Sequence, residues 1–241
     1  MNAARSDRGA AQAALAQEGI ETRAHPLASC ALEVAGSPGR LRQTRAWTSG
    51  IVELQDAASQ AVVEDLGPLD GLRVLDYCAG GGGKALALAA RGARVSAHDA
   101  DPRRMGDIGP RAARAGTPVA VLDGPPPGGP GYEVVLCDAP CSGSGAWRRS
   151  PDAKWRLTPE RLAELTALQH AILAAAAPLV APGGRLVYAT CSLLACENED
   201  TVAAFLDAHP GWRCRFRRRI SPLDGGDGFF AAHLEPPAAP A

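Results

Sequence analysis

An excess of charge of either sign is missing from this chain: 25 Lys and Arg stand against 26 Asp and Glu, a formal net charge of −1. A globally polycationic surface is thereby excluded, and any contact with nucleic acid has to be local. Aromatic residues make up 5% of the chain, too few for a wide base-stacking platform. The seven cysteines are an odd number without the spacing of a small disulfide framework, so free thiols in a reducing compartment are expected. No uninterrupted apolar run is long enough to cross a bilayer. The opening residues, Met1 to Gly9, are polar and Ala-rich and lack the apolar core of a secretory leader. Cytoplasmic location away from membranes is the expectation. A G-x-G-x-x-G run is absent too, which argues against a dinucleotide pyrophosphate site.

The 241 residues suit one full α/β domain with a small additional piece. Residues 1–50 are expected to form a short appendage, 51–235 the main domain and 236–241 a disordered Pro/Ala tail. In the appendage, 10–18 reads as a helix and 31–34 as a short strand, with His25-Pro26 breaking regular structure between them. Asp56 reads as the N-cap of a helix that Gly67-Pro68 stops. Strands are expected at 72–77, 94–98, 119–122, 134–138 and 185–189. Helices at 84–90, 101–115, 158–179 and 197–208 alternate with them. Thr158-Pro159-Glu160 is a strong start for the third of these helices, with a capping hydroxyl, Pro in the first turn and acidic charge at the positive dipole end. Two late strands, 212–220 and 228–234, close the chain. The alternation predicts a doubly wound, mostly parallel sheet with a late antiparallel strand.

Ligands of such sheets sit beyond the strands' carboxyl ends. Four of these strands end in acid, at Asp76, Asp99, Asp123 and Asp138. After the first comes Cys78-Ala79-Gly80-Gly81-Gly82-Gly83-Lys84, a turn whose glycines let backbone approach a ligand closely. Asp99 has the spacing of a carboxylate that takes a ribose diol. Four carboxylates would repel a pyrophosphate and suit a cationic, sugar-bearing ligand. S-adenosylmethionine, with its sulfonium, ammonium and ribose, is one.

Asp138-Ala139-Pro140-Cys141 follows the strand at 134–138, and Thr190-Cys191-Ser192 follows the next. Pro140 cannot donate to a ladder, so pairing ends there. Neighbouring strands lie about 4.8 Å apart, which lets both thiols face one pocket. A thiolate is the natural nucleophile toward an electron-poor ring carbon. Addition at C6 of cytosine makes C5 enamine-like and able to take a methyl group, and Asp138 would hold N3 protonated meanwhile. From spacing, either thiol can attack. Cys137, Cys141, Cys191 and Cys196 offer a rival zinc reading, but their spacings are loose for structural zinc and Cys137 sits within an apolar strand; no metal is expected.

With these motifs in view, the chain resembles the RNA cytosine-5 methyltransferases, in particular the ribosomal RNA small-subunit methyltransferase B group, from about Gln55 to Phe230. Residues 78–84 look like that family's cofactor loop, 138–145 like its fourth motif and 190–192 like its sixth. Arg149, Pro151-Asp152, Lys154-Trp155 and Asp227-Gly228-Phe229-Phe230 also resemble family stretches. The resemblance implies a Rossmann-like class I methyltransferase fold. It places S-adenosylmethionine against residues 78–84, Asp99, Asp123 and Asp138, makes Cys191 the nucleophile and gives product release to Cys141. Gly81 departs from the pattern, since many relatives carry Pro there. Relatives often carry an RNA-binding domain ahead of the catalytic one, of which residues 10–50 would be the tail.

The local basic cluster Arg148, Arg149 and Lys154, next to Trp155, is the expected RNA contact. The arginines from Arg213 to Arg219 are either a second such surface or the blunting charges of an edge strand. Ribosomal RNA is the expected substrate and tRNA the alternative. The rival functions are methylation of a base amino group, which needs no thiol, and an RNA-binding or assembly factor without catalysis.

Overall fold

The computed structural model describes residues 1–36 and 38–238. The chain begins with helix α1 (Arg8–Gln17), capped by the Asp7 carboxylate on the Ala10 amide. Strands β1 (Thr22–Ala24) and β2 (Leu32–Val34) form an antiparallel hairpin, and α2 (Arg45–Thr48) follows. The expected helix and second strand are present, but β1 was not anticipated: Thr22, Arg23 and Ala24 carry no period-2 apolar signal, and pairing with β2 makes them a strand. This segment has its own small core of Ala11, Leu15, Ile20, Leu41, Ala46 and Val52. It is fastened to the main domain by Asn2, whose amide donates to the carbonyls of Gly50 and Ala115.

The main domain contains α3 (Ala57–Glu64), β3 (Arg73–Asp76), α4 (Gly83–Ala89), β4 (Arg94–Ala97), α5 (Ile108–Ala115) and β5 (Val119–Val121). It continues with β6 (Tyr132–Asp138), α6 (Ala153–Arg156), α7 (Pro159–Ala176), β7 (Val180–Thr190), α8 (Glu199–Ala208), β8 (Arg213–Ile220) and β9 (Phe229–Glu235). The sheet order is β5-β4-β3-β6-β7-β9-β8, parallel from β5 to β7 and antiparallel where β9 meets β7 and β8. This is the doubly wound, mostly parallel sheet with one late antiparallel strand that the alternation predicts.

Side chains alternate across the sheet with period two. Val74, Val134, Leu136, Val187, Ala189 and Ala231 point into one core, which packs α3 and α4. Leu75, Val135, Cys137, Leu186, Tyr188 and Phe230 point into the other, beneath α7 and α8. Burial on both faces explains why these strands read as continuous apolar runs.

Two expectations differ in detail. The helix expected over 101–115 is split, because Gly106 separates a 3-10 turn at Pro102–Met105 from α5. The strand expected at 185–189 starts earlier, at Val180, and β7 takes in Pro182-Gly183-Gly184. There the register against β6 jumps from Val180 opposite Tyr132 to Arg185 opposite Val134, and the irregularity absorbs the loop. Pro159–Leu179 is long and apolar enough to cross a membrane by length and composition, with a mean hydropathy of 1.3, but Glu160, Arg161 and Glu164 interrupt it, so it is not an uninterrupted apolar run. In this fold Leu165, Gln169, Leu173 and Ala176 seat it on the domain. Of the tail, Pro236 to Ala238 follow β9, and 239–241 lie outside the described residues.

Leu136 is wholly buried in the central strand. Leu136→Ala is expected to cost about 2–5 kcal/mol of stability. Chemical denaturation would read that as a lower midpoint at unchanged slope.

Candidate active site

The chain leaves β3 toward β4 on one side and returns through β6 toward β7 on the other. The connections therefore diverge between β3 and β6, where a cleft opens beyond the strand ends. It has a volume of about 370 Å³, and Asp76, Lys84, Asp138, Cys141 and Cys191 are among its walls.

The glycine-rich turn forms one wall. Gly82 ends it in the left-handed region, φ 79°, as the N-cap of α4, and a Cβ there would lie 2.6 Å from Ile108. Gly81 is under no such constraint, since a Cβ would sit 3.5 Å from Arg111. The Arg111 guanidinium instead holds its carbonyl. Asp99 props the turn from beneath, accepting from the Gly80 amide at 2.9 Å and pairing with Arg104 at 3.1 Å.

Lys84 enters from the first turn of α4, and its side chain is almost fully buried. Its ammonium lies 2.6 Å from Asp138 and 4.7 Å from the centre of the Phe229 ring. Asp76 faces the same space, buried, and neither of its carboxylate oxygens has a hydrogen bond of good geometry from the protein, the Ala85 amide acting on it only weakly. Burial, and then the charge of Asp138, push its pKa up to about 7, against the opposing pull of Lys84.

Cys141 and Cys191 lie on the far wall, their sulfurs 3.4 Å apart. The contact polarises the pair. The hydrogen bond between the two thiols lowers the pKa of Cys191 below the usual thiol value, assisted by Lys84 against burial and Asp138. The same bond, with burial, raises Cys141 far above it. Cys191 is thus the group closer to thiolate. The two loops are stitched by Gly145, whose amide donates to the Cys191 carbonyl at 2.9 Å and whose carbonyl accepts from Gly228. A Cβ on Gly145 would lie 2.1 Å from the Gly228 oxygen, so this crossing requires glycine.

The structure thus brings together the turn at 78–84, Asp138, Cys141 and Cys191. It treats the other expected residues differently. Asp99 supports the turn from below and is not among the cleft-lining residues; Asp123 is exposed beyond the edge strand β5. Arg149 is engaged by the buried carboxylate of Asp227, with Arg148 3.6 Å from the same group. Lys154 is exposed beside Trp155, its ammonium 4.6 Å from the ring centre. Of the basic stretch on β8, Arg215, Arg218 and Arg219 pair with Glu235, Asp65 and Glu199. Cys137 is buried in the core under α7, apart from the thiol pair. Among the described residues, no group of three or more His, Cys, Asp or Glu side chains is arranged to hold a metal ion.

Sequence reasoning did not single out Gln55 and Ser59, which line the cleft from the start of α3, or Arg104. It also missed Glu197, a fully buried acid behind the thiol loops. No local pattern marks these four residues.

The sequence pattern of the family described as 16S rRNA methyltransferase RsmB/F matches residues 63–235. The chain is 37% identical over 236 residues to ribosomal RNA small subunit methyltransferase B of Erwinia tasmaniensis, an alignment covering 91% of this chain and 55% of that protein. The crystal structure of PH0851 matches at a TM-score of 0.90 and 30% identity, over 97% of this chain and 58% of that one. A methyltransferase homologue from Pyrococcus horikoshii matches in fold at a TM-score of 0.83 and 23% identity, over 98% of this chain and 84% of that one. The chain spans about half the length of the curated relatives it matches.

The polarised thiol pair has a direct consequence. Limited iodoacetamide near neutral pH should alkylate Cys191 before Cys141, because the thiolate is the reacting form. Peptide mapping by mass spectrometry reads the order, and preferential labelling of Cys141 would show the polarity to be reversed.

Proposed function

The chain belongs to the RsmB/F family of 16S rRNA methyltransferases, and from that premise we propose that it methylates C5 of a cytosine in RNA. S-adenosylmethionine is the donor in this reading, and small-subunit ribosomal RNA, the substrate named for its relatives, is the acceptor. The observation that carries the proposal is the 3.4 Å contact between Cys141 and Cys191 on the wall of a cleft that also holds Asp76, Lys84 and Asp138.

The residues suit the donor. Asp76 is a buried carboxylate with no well-formed hydrogen bond from the protein, which fits a ligand ammonium. The turn at 78–84 offers close backbone, and Asp99 and Asp123 remain candidates for the ribose and base. When bound, S-adenosylmethionine supplies an electrophilic methyl group.

The chain's own residues do the rest. The Cys191 thiolate adds to C6, forming an S–C6 bond and sending the C5–C6 π electrons toward N3, where Asp138 holds the proton. C5, now enamine-like, takes the methyl group as the S–CH3 bond of the sulfonium breaks and its electron pair stays on sulfur. The C5 proton then passes to solvent, its electrons restore the C5–C6 double bond, the C6–S bond breaks to return the Cys191 thiolate, and N3 gives up its proton. Cys141 assists this elimination. The thiol contact weighs against a catalytically silent assembly factor, and amino-group methylation leaves Cys191 unused. Exposed Lys154, with Arg148 beside the cleft loops, supplies backbone contacts to the RNA.

RNA containing 5-azacytidine tests the mechanism, because its covalent adduct with a C6-attacking thiolate is not resolved. Wild type should form a band resistant to denaturation, and Cys191→Ala should form none. Cys141→Ala should accumulate an adduct on ordinary RNA as well. An inert wild type would exclude covalent cytosine chemistry, and an adduct in Cys191→Ala instead would reverse the two roles.

Asp76 makes donor binding depend on pH. A ligand ammonium favours the ionised carboxylate, so Asp76 titrates lower in the complex than its free value of about 7. Affinity should therefore rise with pH from 6 to 7 and level off above, with proton release seen by calorimetry in two buffers. Asp76→Asn should abolish that dependence and weaken binding by roughly 1.5–3 kcal/mol. A flat profile in wild type would remove Asp76 from the ammonium site.

A further inference from the structure

Glu197 belongs to the 3-10 turn Ala195–Glu197, just beyond the Cys191 loop, and its side chain is fully buried. A buried carboxylate is costly unless donors surround it. Here four do, drawn from three separate segments. Oε1 accepts from the Ser142 amide at 2.8 Å and from Gln169 Nε2 at 3.0 Å. Oε2 accepts from the hydroxyls of Ser142 and Ser192, each at 2.5 Å. Ser142 follows Cys141 directly, and Ser192 follows Cys191. Gln169 lies in α7 and also donates to the Pro140 carbonyl at 2.9 Å. The main chain of Glu197 is fixed as well, since its carbonyl accepts from the buried Tyr188 hydroxyl.

One carboxylate therefore holds the residue after each thiol and ties both to the long helix. Ser192 and Ser144 hydroxyls, 3.1 Å apart, extend the same network across the two loops. We propose that Glu197 is a positioning residue that clamps the Cys141 and Cys191 loops together and so sets the two sulfurs at contact distance. The consequence for catalysis rests on the cytosine-5 reading; the clamp itself does not.

Phenylarsine oxide tests it, because it closes a ring on two adjacent thiols with loss of water and so reports their spacing without RNA or cofactor. Wild type should capture it tightly, and Cys141→Ala should not. Glu197→Ala removes all four bonds and should weaken capture at least tenfold, with a matching fall in the rate of trapping on azacytidine RNA. Glu197→Gln should keep capture near wild type: its oxygen replaces Oε1, while its amide nitrogen donates to the two serine hydroxyls, which can turn to accept. That rescue separates positioning from general destabilisation, and circular dichroism and the melting temperature show that each variant is folded. Should Glu197→Ala fail to fold, Ser192→Ala carries the test, with a several-fold loss of capture expected. Unchanged capture in folded Glu197→Ala or Ser192→Ala overturns the clamp, as does Glu197→Gln behaving like alanine. A wild type that captures the arsenical in this pattern yet never traps azacytidine RNA would refute the cytosine reading and leave the clamp standing.

Discussion

The site depends on β6 having parallel neighbours on both sides. Pairing with β3 sets Leu136 opposite Asp76, and pairing with β7 sets Asp138 opposite Ala189. With those registers fixed, the ends of three consecutive strands in the sheet open onto one cleft. β3 ends in Asp76, β6 leads through Asp138 to Cys141, and β7 leads to Cys191. The apolar cores on the two faces enforce the registers, because a slip of one residue would turn Leu136 and Cys137 each to the wrong face. The thiol contact thus rests on the packing of these strands, against which Cys191 itself lies, as well as on the loops that follow them.

Much of this was legible because strand ends and loops are local. A β-branched or apolar run stopped by Asp-Ala-Pro announces where β6 ends, and Thr-Cys-Ser does the same for β7. That the two ends are neighbours followed from the doubly wound pattern. The four acidic strand ends, by contrast, looked equivalent in sequence and are not. Asp76 is buried without a well-formed hydrogen bond, Asp99 braces the glycine turn, Asp138 pairs with Lys84, and Asp123 is exposed. Position across the sheet separates them, since β5 is an edge strand while β3 and β6 are central, and sequence spacing carries no record of that order.

What stayed hidden was long-range pairing. Arg149 reads as a free cation beside a motif, yet it meets Asp227, 78 residues away. Asp227 in turn receives a second brace, its amide donating to the Asp56 carboxylate that also caps α3. A residue that looked like an RNA contact thus also fastens the loop after Cys141 to the entrance of β9. The arginines of β8 show the other outcome: three are matched by acids from distant segments, which supports the edge-blunting reading over a second RNA surface.

Four carboxylates are buried among the described residues: Asp76, Asp99, Glu197 and Asp227. Burying such a group without donors is among the costlier choices a fold can make. Asp99 is met by two amides and an arginine, Glu197 by four donors, and Asp227 by Arg149 with Arg148 nearby. Each of these three ties segments together, and each is satisfied within the protein. Asp76 alone has no hydrogen bond of good geometry, only a weak approach by the Ala85 amide, and it alone lines the cleft. Its pKa is raised to about 7 by burial first and by the charge of Asp138 second, and the pull of Lys84 and the Ala85 amide does not offset them. A structural carboxylate would have been given its donors by the fold, as the other three were. One left without well-placed donors, at the point where the sheet's connections diverge, is suited to a cation that arrives from outside the chain.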